Sequence, residues 1–109
     1  MTAEPAQLDA VLRALADGNR RTILDVARDR PRAVGEIAQG VSMSQQAVSH
    51  HLRVLRDAGL VTETRDGTRH LFMARTEGFD VVQQFIRGFW PNQLAALKAA
   101  AEKTARDSG

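Results

Sequence analysis

Apolar positions along this chain recur first with a helical period and then, from Leu60, with the period of strands. Leu8, Val11, Leu12 and Leu15 are spaced by three and by one, which predicts a helix over 6–16. Asp17-Gly18-Asn19 interrupts it, because Gly and Asn both accept the left-handed conformation that ends helices. Ile23, Leu24, Val26 and Ala27 predict a second helix over 20–29, closed by Pro31, which has no backbone N–H to continue the ladder. Val34, Ile37, Ala38 and then Val41 share one side of a short third helix over 34–40. A longer fourth helix is expected over 45–58. Ser44 suits its N-cap, Gly59 suits its end, and Ala47, Val48, His51, Leu52, Leu55 and Ala58 form its apolar stripe.

Beyond Leu60 the segments 61–65 and 69–74 are rich in Val, Thr and Phe and read as two short strands, with Asp66-Gly67 between them as a hairpin signal. Helical spacing returns over 79–104 through Val82, Phe85, Ile86, Phe89, Leu94, Leu97 and Ala101. Pro91 should kink or break that helix, since it cannot bond to the carbonyl of Arg87. The expected fold is mainly α with a two-stranded β-hairpin. The whole of 1–109 reads as a single winged helix-turn-helix domain, with 34–58 as the helix-turn-helix and 60–75 as the wing. The first and last helices are left over, each apolar on one side with little core to cover.

Composition narrows the class. Of 109 residues 43% are hydrophobic, 26% charged and 5% aromatic, which excludes a disordered or collagen-like chain. No apolar run approaches the roughly 20 residues of a membrane-spanning helix. Glu4, Asp9 and Asp17 break up the first stretch, so no secretory signal is expected and the cytoplasm is the default location. The absence of cysteine excludes disulfides and thiolate chemistry. The net charge is only +2, and all of the excess lies in 42–75, where Arg53, Arg56, Arg65, Arg69 and Arg75 face Asp57, Glu63 and Asp66 and where all three histidines lie. Charge alone points weakly to an anionic partner and fits a solvated polar surface better.

The segment 34–52 is more specific. Two helices packed through a tight turn need a small residue at the crossing, apolar residues around the turn and an anchor on the second helix; Ala38, Val41 with Met43, and Val48 meet these needs. Off the apolar stripe, near the start of the second helix, lie Gln45, Gln46, Ser49, His50 and Arg53. Gln can address adenine through two bonds, Arg can do so with guanine, and Ser can pair with several base edges. No acidic residue occurs from 37 to 56, whereas a merely solvated helix would mix signs. A face without carboxylates suits phosphates, so double-stranded DNA is the expected partner. Gln45, Gln46, Ser49 and Arg53 are the candidates for base contact. Ser42, Ser44, His50, Arg65, Thr68, Arg69 and His70 are candidates for phosphate contact. Arg20 or Arg21 could reach the DNA backbone or could cap and pair locally.

The segment Leu15-Ala16-Asp17-Gly18-Asn19-Arg20-Arg21-Thr22-Ile23-Leu24, the run from Ser44 to Val61 and the Asp66-Gly67-Thr68-Arg69 hairpin together resemble the ArsR/SmtB-type bacterial repressors, over roughly 8–104. The resemblance implies a homodimeric repressor on palindromic operator DNA, dimerising through its first and last helices. The interface residues it points to are Leu8, Val11, Leu12, Val82, Phe85, Phe89, Trp90, Leu94 and Leu97. Metal-sensing members use a Cys-x-Cys pair before the recognition helix, or Asp and His on the last helix; here the first region has no thiol and 76–109 has no His. His50 and His51 point about 100° apart and cannot chelate one ion together. No metal and no cofactor is therefore expected. The segment from Phe89 to Lys98 resembles a non-metal branch often encoded beside small proteins that bind lipids or hydrophobic ligands, although filling a dimer core is the favoured reading of Phe85, Phe89 and Trp90 over lining a ligand pocket. No nucleophile–base–orienter set or phosphate loop is present, so no enzyme is expected. The alternatives are a winged-helix module that binds protein, and a repressor that senses a hydrophobic small molecule.

Overall fold

A computed structural model of the chain describes the backbone of residues 4–89 and 91–108, and the side chains of 6–89 and 97–106. In chain order the elements are α1 (Glu4–Leu15), α2 (Gly18–Val26), β1 (Arg32–Ala33), α3 (Val34–Val41), α4 (Gln45–Asp57), β2 (Val61–Asp66) and β3 (Arg69–Ala74). A 3-10 turn (Thr76–Phe79), α5 (Asp80–Arg87) and α6 (Pro91–Ser108) follow. This is the mainly helical winged helix-turn-helix expected from the sequence, with three corrections.

The first concerns Asp17-Gly18-Asn19, which begins α2 as well as ending α1. Asp17 is the N-cap of α2, and its carboxylate accepts from the Asn19 amide at 2.8 Å. The helix therefore starts at Gly18 and closes at Val26, earlier at both ends than its apolar spacing suggests. The second correction is an additional strand. Arg32 and Ala33 pair with Phe72 and Leu71, making an antiparallel sheet in the order β1-β3-β2. Two residues are too few to carry a period-two pattern. The third is in the hairpin, where Asp66 still pairs with Arg69, so the turn residues are Gly67 and Thr68. Gly67 has φ 65 and Thr68 stays in the negative-φ region, the signature of a type II′ turn whose twist matches the strands.

The break near Pro91 falls as expected. Helix α5 stops at Arg87 with Gly88 as its cap, and Pro91 opens α6, where its missing N–H leaves no bond unmade.

The core joins α1 through Val11 and Ala14, α2 through Ile23 and Leu24, α3 through Ile37 and Ala38, and α4 through Val48, Leu52 and Leu55. Leu60, Val61, Phe72 and Val81 close it from the wing and α5. Each large side chain removed from water here contributes about 2 kcal/mol. Val11 is 0% exposed in this core, so it cannot lie on a surface shared with a second copy, contrary to the sequence expectation. Leu8 and Val82 are half-buried against the same core. Leu12, Phe85, Phe89 and Leu97 remain exposed. Trp90 and the Leu94 side chain lie outside the described residues. Among the described residues, no helix is long and apolar enough to cross a membrane.

Candidate nucleic-acid interface

Helix α4 is seated in the core by Val48, Leu52 and Leu55, all buried, and capped at its start by Ser44, whose Oγ accepts from the Ala47 amide at 3.1 Å. That cap uses a hydroxyl lone pair and leaves the O–H free to donate. With the apolar stripe inward, Gln45, Gln46, Ser49, His50 and Arg53 are all exposed. The turn leading into α4 is tight. Ser42 adopts the left-handed conformation at φ 56, and the amides of Ser42 and Met43 both donate to the carbonyl of Ala38. Ser42 and Ser44 are exposed on either side of half-buried Met43. Gln45 leans back over α3: a Cβ placed on Gly35 would lie 3.3 Å from its Nε2. The structure thus brings together every residue expected on the recognition helix, with Gln45 turned toward α3.

On the wing, Arg65, Thr68, Arg69 and His70 are exposed around the hairpin tip. Their electrostatic situations differ. His70 Nδ1 lies 2.5 Å from Glu63 Oε2, and the other oxygen of Glu63 accepts from Arg56 Nη1 at 2.7 Å. Arg28, Arg30, Arg32 and Arg75 are likewise paired with carboxylates. Among the described residues, Arg53, Arg65 and Arg69 have no carboxylate within ion-pair distance. Unpaired guanidinium groups beside a helix without acids are suited to phosphate oxygens and to the edge of guanine.

Arg20 and Arg21 turn toward the end of α1, Arg20 half-buried and Arg21 exposed. Arg20 Nε and Nη2 donate to the carbonyls of Ala14 and Arg13, and Arg21 Nη1 donates to that of Leu15. Both guanidinium groups cap the C-terminal end of α1, whose last carbonyls lack intrahelical partners. Of the two possibilities open from the sequence, local capping is the one realised. Sequence reasoning missed Asp17, Arg56 and Glu63. The cap at Asp17 has a signal, an Asp just before a helix; the Arg56–Glu63–His70 cluster has none, because its members meet across three elements.

Among the described residues, no three His, Cys, Asp or Glu side chains come together in a way that could hold a metal ion.

Comparison with known proteins gives this geometry a family. Residues 11–63 match the model of the bacterial regulatory protein, arsR family. The HTH-type transcriptional regulator Rv2034 of Mycobacterium tuberculosis is 34% identical over 100 residues, which span 92% of this chain and 94% of that protein. The chain belongs to the arsR family of bacterial regulatory proteins. Solved structures extend the likeness beyond the matched segment. An ArsR-like transcriptional regulator from Rhodococcus sp. RHA1 is 27% identical, with a TM-score of 0.73 over 92% of this chain and 97% of that one. The homodimeric winged helix-turn-helix DNA-binding domain of Mb0332 from Mycobacterium bovis is 33% identical, with a TM-score of 0.65 over 93% and 83%. This ArsR-family regulator shares their overall fold across most of its length.

Proposed function

We propose that this ArsR-family chain is a homodimeric repressor that binds palindromic operator DNA, one protomer to each half-site. Helix α4 enters the major groove with Gln45, Gln46, Ser49 and Arg53 toward base edges. Ser42, Ser44, His50, Arg65, Thr68 and Arg69 approach phosphates. The two α4 helices then lie about 34 Å apart, one turn of duplex. The observation that carries this reading is the exposed outer face of α4. It bears amide, hydroxyl, imidazole and guanidinium groups, with no carboxylate from 37 to 56, next to the unpaired Arg65 and Arg69 of the wing.

Dimerisation has its own support. Leu12 is 42% exposed, Phe85 49%, Phe89 68% and Leu97 68%, on α1, α5, the turn after α5, and α6. Exposed apolar side chains of that size, with Phe85 and Phe89 in ring contact, mark a surface that meets protein. A second copy is the occupant that fits, given the homodimeric neighbour. In this reading 1–109 works as one unit, with 34–58 and 60–75 on DNA and the helices at both ends joining protomers.

The test is a mobility-shift titration on duplex containing the region upstream of the chain's own gene, with light scattering on the same sample. A dimer that retains that duplex over a scrambled competitor is expected. A strictly monomeric chain, or equal affinity for both duplexes, overturns the proposal.

A further inference from the structure

Arg20, the third residue of α2, is 15% exposed in its side chain and joins three elements. Its Nε donates to Ala14 O at 2.8 Å and its Nη2 to Arg13 O at 3.1 Å, holding the end of α1. Its Nη1 lies 3.5 Å from Asp17 Oδ2, the N-cap of α2, and 3.3 Å from Nδ1 of His51, in the middle of α4. A guanidinium has no acceptor, so in this bond His51 Nδ1 carries no proton and accepts. Among the described residues, no other side-chain hydrogen bond joins α4 to the helices before it.

The placement of His51 gives this bond a consequence. Val48, Leu52 and Leu55 hold α4 at its depth in the core, but apolar burial is non-directional and tolerates small rotations. A hydrogen bond to one ring nitrogen is directional. His51 adjoins exposed His50, their rings 5.6 Å apart, and stands two positions before Arg53. A change in the roll of α4 at His51 therefore moves Arg53 relative to a base edge and His50 relative to the DNA backbone. At its other end the same guanidinium grips α1, which carries the exposed Leu12.

We propose that Arg20 is a positioning residue for DNA recognition, locking the roll of α4 to α1 through Nδ1 of His51. This rests on the reading of α4 as the helix that meets DNA.

The test uses the full chain, a duplex selected by the parent protein from a randomised pool, and a scrambled duplex of equal length. Arg20→Lys keeps the charge, and with it any simple phosphate attraction, but loses the fork. His51→Leu fills the space without an acceptor, whereas His51→Asn restores one at the Nδ1 position. Arg20→Lys and His51→Leu should each lose about tenfold on the selected duplex, with affinity for the scrambled duplex within about twofold of the parent. The double variant should lose no more than either single one, and His51→Asn should recover most of the loss. Additive losses, equal losses on both duplexes, or full affinity in folded His51→Leu overturn the proposal. If Arg20→Lys does not fold, the contrast between His51→Leu and His51→Asn decides it. A parent protein that selects no duplex removes the reading of α4 itself, and the role of Arg20 with it.

Discussion

Glu63 on β2 pairs in register with Phe72, and its carboxylate reaches diagonally to His70 on the same neighbouring strand, carboxylate oxygen to ring nitrogen at 2.5 Å. The same carboxylate accepts from Arg56 in the last turn of α4, so one acid ties the wing to the recognition helix. A carboxylate can only accept, so Nδ1 of His70 is the donor and Nε2 is what remains for a partner. In a neutral ring that nitrogen has no proton, and His70 can donate to a phosphate only as the imidazolium. Arg65, Thr68 and Arg69 are then the wing's candidates for DNA contact.

The hydrogen bond from His70, then that from Arg56, holds the Glu63 carboxyl below its ordinary value of 4.5, against a smaller opposing effect of burial. A carboxyl depressed in the folded state stabilises the fold above its unfolded value, and that contribution disappears as the pH falls through the folded one. Glu63→Gln should thus lower the urea midpoint at pH 7 and converge with the parent at an acid pH below the depressed folded value. Glu63 keeps 22% of its side chain exposed and both partners keep more, so solvent screens the cluster and the change in midpoint is modest. A difference unchanged between the two pH values would remove the linkage.

Elements with a long apolar period were legible in the sequence: the stripes of α1 and α4, the helix-turn-helix packing around Ala38, and the hairpin. What escaped the pattern was short or shared between elements. β1 has two residues and no period. Val11 belongs to the same stripe as Leu12, and only the packing of α1 against its own chain decides that one is fully buried and the other 42% exposed. Residue chemistry identified the outer face of α4, because side chains off a stripe are exposed by geometry. It could not show that His70 is held by Glu63 or that Arg20 is spent on the end of α1.

Arg53 is exposed, unpaired and one helical turn beyond Ser49 and His50. In a groove its fork matches the two acceptors of guanine. Arg53→Ala should cost about 1–3 kcal/mol on the selected operator and relax the preference at one base position. Binding assays on the operator and its single-base variants check this, and a uniform loss on all of them would reassign Arg53 to the phosphates.

Arg69 pairs in register with Asp66 at the hairpin tip without forming an ion pair, which leaves its charge available to the DNA backbone. Arg69→Ala should weaken binding evenly across sequences and reduce the slope of log K against log salt by about 1. An unchanged slope, measured by anisotropy from low to moderate salt, would take the wing tip out of the interface.

Phe85 and Phe89 meet edge to face with ring centres 5.1 Å apart, yet both are exposed in a single copy. Their area serves the fold of one protomer little, so Phe89→Ser should leave the unfolding of the monomer nearly unchanged while shifting the dimer toward monomer. Operator affinity should fall with it, because two half-sites are then no longer held together. Sedimentation and binding on the same samples test this; a fully dimeric Phe89→Ser protein would place the contact elsewhere.

The junction behind the wing yields a prediction about the fold itself. Gly78 is buried in the 3-10 turn, and a Cβ there would lie 2.2 Å from the carbonyl oxygen of Gly59 and 2.9 Å from its carbon. Neither backbone can retreat easily. Gly59 sits at φ 81 after α4, Leu60 N–H is bonded to Leu55 O at 2.9 Å, and Arg75 N–H to Leu60 O at 2.8 Å. Gly78→Ala must push these bonded segments apart and should cost about 3 kcal/mol. Gly67→Ala meets no atom within 4 Å and is opposed only by its φ of 65, so it should cost about 1 kcal/mol. Urea denaturation of both variants separates crowding from backbone strain. Equal losses at the two glycines would mean that the approach of Gly78 to Gly59 does not constrain the fold.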